Sequence, residues 1–75
     1  MSDRQATRRD SYLIVCDPME TSAGAFAARF FIYKGDTNDG ELVACQEYPT
    51  EEFAEASEAN LFALESADRW LKIHG

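Results

Sequence analysis

At 75 residues and a formal charge of −7, the chain has room for one small domain and none for a second. A chain of this length buries only about 60% of its unfolded surface, so its five Phe, three Tyr and one Trp must supply much of the core. The charge weighs against autonomous nucleic-acid binding. Residues 11–75 hold four basic and twelve acidic side chains, and residues 36–67 hold no Lys or Arg at all, a surface that repels phosphate backbones.

Residues 1–10 (MSDRQATRRD) lack periodicity and read as a disordered tail. They contain no apolar stretch of the kind a signal peptide needs. No run anywhere reaches the roughly 18 apolar residues of a membrane span. Both point to a cytoplasmic protein, as does the use of only two cysteines, Cys16 and Cys45, in no metal or redox spacing.

The folded unit is expected over residues 11–75. Residues 11–16 (SYLIVC) are β-branched and apolar and end at Asp17 and Pro18, a strand followed by a turn. Residues 17–24 form the connection. Residues 25–34 (AFAARFFIYK) alternate as a second strand, with Phe26, Ala28, Phe30 and Ile32 on one face and Arg29, Phe31 and Tyr33 on the other. Residues 35–40 (GDTNDG) make a hairpin loop, and residues 41–48 form a third strand that stops at Pro49.

Residues 50–56 can begin the helix or continue the strand; Ser57 is the preferred N-cap. From residue 58 to 74 the pattern is helical. Ala59, Phe62, Ala63, Ala67, Trp70, Leu71 and Ile73 fall in one arc, with Glu58, Glu65, Asp68, Arg69 and Lys72 opposite. The expected fold is therefore α+β, a three-stranded antiparallel sheet packed on one C-terminal helix.

Candidate chemistry is sparse. Asp36, Asn38 and Glu47 have two spacings of a calcium loop, but Gly40 stands where a ligand is wanted and Glu41 replaces the turn glycine. A hairpin turn is the better reading. If the second strand lies between them, Cys16 and Cys45 are roughly 9.5 Å apart, so a disulfide requires the first strand to pair directly with the third, and one histidine with two cysteines does not make a zinc site. His74 ends the helix with nothing beside it in sequence to orient it as a base. Glu51, Glu52, Glu55 and Glu58 suit a solvated helix start. No catalytic, metal or cofactor-binding residue is expected.

The informative feature is the second sheet face. One helix covers one face of the sheet, yet Phe31 and Tyr33 point to the other. Arg29, Phe31, Tyr33, Val43 and Cys45 are the expected interaction surface. Two outcomes stay open. Tyr48, Phe53 or residues 50–56 fold back over it, or it meets a protein partner, most simply a second copy by face packing or edge-strand pairing. The acidic surface either steers a basic partner or only maintains solubility.

The order of Tyr12, Leu13, Ile14 and Val15, then Gly24 to Arg29, then Glu58 and Ala59, then Ala67 to Leu71, resembles small uncharacterised bacterial βββα proteins. More distantly it is similar to HicB-type antitoxins and to double-stranded-RNA-binding domains. The antitoxin likeness implies a basic protein partner. The RNA-binding likeness implies basic residues at the helix start, where this chain is acidic. A non-enzymatic protein-interaction module is expected, with an antitoxin-like or nucleic-acid-associated regulator as the alternative.

Overall fold

The computed structural model describes residues 4–21, 24–35 and 40–74. It is an α+β fold in which one antiparallel sheet carries one C-terminal helix. The sheet has five strands where three were expected: β1 (Gln5–Arg9), β2 (Tyr12–Cys16), β3 (Met19–Glu20), β4 (Phe26–Lys34) and β5 (Glu41–Phe53), followed by α1 (Ala56–His74).

The two additional strands are short and form by pairing with their neighbours. β1 lies in the segment expected to be a disordered tail. It pairs with β2 from Gln5 opposite Cys16 to Arg9 opposite Tyr12, across a two-residue turn of Asp10 and Ser11. Asp10 has φ 54°, a left-handed conformation that the short Asp side chain tolerates. β3 continues the line of β2 after the break at Asp17 and Pro18. Both pair with the same edge of β4, β2 with residues 30–34 and β3 with Ala27 and Phe26. Thr21 closes the following turn. Its N–H donates to the Ala25 carbonyl at 2.8 Å and its hydroxyl accepts from the Ala25 N–H at 3.2 Å, with Gly24 at φ 78°. The sheet is thus a meander, β1, then β2 with β3, then β4, then β5, with β1 and β5 at its edges.

β5 runs past the expected stop at Pro49. Ala28 faces Tyr48 but Ala27 faces Glu52, so Pro49, Thr50 and Glu51 bulge out of the ladder. A bulge on an edge strand is where a residue without an N–H is tolerated. Beyond it Phe53 rejoins β4 opposite Phe26. The helix then starts at Ala56 rather than after Ser57. The Glu55 carbonyl accepts the N–H groups of Glu58 and Ala59 at 3.2 and 3.3 Å, which makes Glu55 the capping position and puts Ser57 in the first turn.

The helix lies across one face of β4, flanked by β2 and β5. Ala59, Ala63 and Ala67, fully buried, form the contact stripe and let the helix sit close. Against them pack Ile14 and Cys16 of β2 and Ala28, Phe30 and Ile32 of β4. Complete burial of Phe30, Ile14 and Ile32 contributes about 1.5–3 kcal/mol each. Phe62 closes the β5 side, 5.1 Å from the Tyr48 ring and 5.4 Å from that of Phe53. On the β1 side, Arg9 holds Asp68 by Nε to Oδ1 at 3.0 Å, tying the N-terminal strand to the helix. Among the described residues no helix is long and apolar enough to cross a membrane.

Candidate interaction surfaces

The register of the sheet assembles its second face row by row. Arg8, Leu13, Tyr33 and Leu42 lie side by side, then Ala6, Val15, Phe31 and Cys45, then Arg29 and Glu47, then Met19, Ala27 and Glu52. The helix is on the other face. The Cα envelope is 36 × 26 × 15 Å, and its thin direction is the depth of one sheet and one helix. Leu13, Val15 and Ala27 are nonetheless buried. Among the described residues no helix or second sheet lies over them. Phe31 and Tyr33 stay half-buried and Leu42 is 50% exposed.

Four of the five residues expected on this surface share it: Arg29, Phe31, Tyr33 and Cys45. Val43 does not. The register slips between Ile32 and Tyr33, which leaves Val43 as the extra residue of a bulge, and it packs against the helix-covered core. The segment that stood as an alternative cover lies elsewhere. Tyr48 and Phe53 both pack on Phe62 under the helix, and residues 50–53 continue β5.

Arg29 is occupied by its own fold. Its Nε donates to the Asp17 carbonyl and its Nη2 to Asp17 Oδ2, both at 3.0 Å. The Asp17 N–H returns a bond to the Arg29 carbonyl at 3.1 Å. The guanidinium carbon stands 5.4 Å from the Phe31 ring centroid, a cation–π distance. Arg29 therefore pins the corner where β2 gives way to β3 and covers one side of Phe31.

A second surface lies where β5 meets the helix. Helix residues spaced three and four apart line two successive hollows along that flank. The first, ≈ 250 Å³, is bounded by Phe53, Leu61 and Phe62 with Glu58 and Glu65 at its rim. The second, ≈ 220 Å³, is bounded by Tyr48, Trp70 and Ile73, with Gln46, Arg69 and His74 around it. Tyr48 donates to Gln46 Oε1 at 2.6 Å, and the rings of Trp70 and His74 lie 4.8 Å apart between centroids, tilted by 36°. Leu61 is 60% and Ile73 70% exposed, although Ile73 belongs to the arc expected to face the sheet. Among the described residues, no strand pairs with the outer edge of β5.

The remaining candidates separate. β4 lies between Cys16 and Cys45, which point to opposite faces, and both are free thiols. Burial, with a smaller push from the Asp68 carboxylate, raises the Cys16 thiol to about 11. Residues 36–39 of the calcium-like spacing lie outside the described residues. Among the described residues, no group of three or more His, Cys, Asp or Glu could hold a metal ion. Glu51 and Glu52 end β5 while Glu55 and Glu58 begin the helix, all four exposed. The N-terminal arginines are not on a tail: Arg8 and Arg9 are in β1.

No protein-family model, curated protein or solved structure matches the chain. The functional reading therefore rests on these surfaces. Sequence reasoning reached the face through Phe31 and Tyr33 but missed the hollows. Their only signals were the position of Leu61, outside the apolar arc, and of Ile73 at the end of it.

Proposed function

We propose that this protein is a non-enzymatic interaction module that works as a homodimer, two copies packing through the second sheet face. The observation that carries the reading is the apolar patch of Phe31, Tyr33 and Leu42, half-buried or exposed around the buried Leu13 and Val15, on a face over which no second layer lies among the described residues. Sheets bury such faces against another sheet or a helix. A slab of 36 × 26 Å has room for the roughly 800 Å² per partner of a standard interface.

Charge favours a second copy as the occupant. On this face β1 contributes Arg8, and β5, at the far edge, contributes Glu47 and Glu52. A two-fold axis along the strands lays β1 of one protomer over β5 of its partner, so the edge that bears Arg8 meets the edge that bears Glu47 and Glu52.

Sedimentation equilibrium over a concentration series tests this. The expected result is a species of twice the 8.4 kDa chain mass, reduced to monomer by Phe31→Ser with Tyr33→Ser while the far-UV circular dichroism is kept. A monomer at every concentration up to the millimolar range overturns the homodimer.

A further inference from the structure

We infer that the flank between β5 and α1 is a docking site for an extended protein segment of alternating apolar and basic residues, added as a strand to the free edge of β5. Three observations converge there. First, the outer edge of β5 has no strand beside it among the described residues, so its outward N–H and C=O groups are available to a partner backbone. The regular stretch lies between the two register shifts, over residues 44–48, and Pro49 ends it because it has no N–H.

Second, a strand added to that edge turns alternate side chains toward the helix flank, where the two hollows open. Tyr48, Trp70 and Ile73 receive one apolar residue, and beyond the bulge Phe53, Leu61 and Phe62 receive another. Leu61 and Ile73 are the two most exposed large apolar residues described. They are about 18 Å apart along the helix, and each lines one of the two hollows.

Third, the charge selects the occupant. β5 carries Glu41, Glu47, Glu51 and Glu52 and no basic residue, and Glu58 and Glu65 rim the first hollow. The intervening side chains of an added strand point to the face that bears Glu47 and Glu52, where cross-strand pairs with Lys or Arg are favourable and like charges are not. A second β5 is disfavoured as the occupant, since it brings four more glutamates to the same edge and no basic residue. Arg69 and His74 border only the far hollow.

The only tryptophan, Trp70, lines the second hollow and reports on its occupation. The probe is a synthetic ten-residue peptide alternating Val and Lys, titrated into the full chain at low salt. The expected result is saturable change in Trp70 fluorescence and slowed hydrogen exchange at β5 amides. Affinity should fall at least tenfold for the same peptide with Glu in place of Lys and for one with alternate backbone nitrogens methylated. Leu61→Ser with Ile73→Ser, at exposed positions that the fold does not need, should weaken binding at least tenfold with the melting temperature unchanged. Equal binding of the Lys and Glu peptides, binding without protection of β5, or no binding at millimolar peptide each overturns the proposal. Repeating the titration on the Phe31→Ser, Tyr33→Ser variant separates this surface from the dimer face, because the flank is intact there whatever the oligomeric state.

Discussion

Cys16 makes folding sensitive to alkali in a window that its surroundings define. The thiol sits on β2 with 2% exposure, inside the cluster of Ile14, Ala28 and Phe30. Burial first, and the Asp68 carboxylate second, raise it from 9.0 to about 11. Below pH 9 the thiol is protonated in both folded and unfolded chains and stability is unaffected. Between pH 9 and 11 the unfolded chain gives up the proton and the folded chain keeps it. The unfolded state is then favoured, and stability is lost as pH rises through this window. Two pH units correspond to about 2–3 kcal/mol, a large part of the 5–15 kcal/mol typical of a domain. Urea unfolding followed by Trp70 fluorescence from pH 8 to 11, on the natural chain and on Cys16→Ala, isolates the term, since Tyr and Lys titrations are common to both. The natural chain should lose its advantage over Cys16→Ala by about 2–3 kcal/mol across the window. A difference that does not change with pH would refute the reasoning, because it would mean that the folded thiol ionises as easily as a solvated one.

Ala63 is fully buried in the core between helix and sheet, so Ala63→Leu should overpack the contact and cost about 1–3 kcal/mol. A thermal melt would read this as a fall of several degrees, with no change from the natural chain refuting the close contact. Arg29→Lys keeps the charge but cannot reproduce the paired bonds to the Asp17 carbonyl and carboxylate. The site is about a third exposed, so a loss of about 1 kcal/mol is expected, with the amide of Asp17 exchanging faster.

The legible parts of the fold were those with large apolar side chains in a clear period. Alternation through Phe26, Phe30 and Ile32 identified β4 and its covered face, and the alanines with Phe62 and Trp70 identified α1. What escaped notice depended on tertiary pairing. Gln5–Arg9 has no apolar pattern, and its turn of Asp10 and Ser11 lacks the glycine that signals a tight hairpin. It is a strand because β2 offers an edge and Asp68 offers Arg9 a partner on the helix. β5 was cut short at Pro49 because proline normally stops a ladder, and only the bulge against Ala27 and Ala28 lets the strand resume. The same bulges explain Val43. Simple alternation counts it with Cys45, but the shift at Ile32 and Tyr33 returns it to the covered side.

The two surfaces divide self-association from partner binding by charge. A free edge of 13 residues is an aggregation hazard, and proteins blunt such edges with charge, proline and bulges. β5 has all three: glutamates at 41, 47, 51 and 52, Pro49, and two register shifts. Those devices act against another copy of β5 and do not act against a basic strand, so the defence of the edge is also its selectivity. The second face is built the opposite way. Its centre is apolar and its unlike charges are at opposite edges, which suits a second copy and offers a basic strand no edge to extend. If both readings hold, adding salt should separate them. Binding at the edge should weaken as the glutamates are screened, whereas the face, held by Phe31, Tyr33 and Leu42, should dimerise almost unchanged. A single salt response for both would mean that one surface serves both purposes.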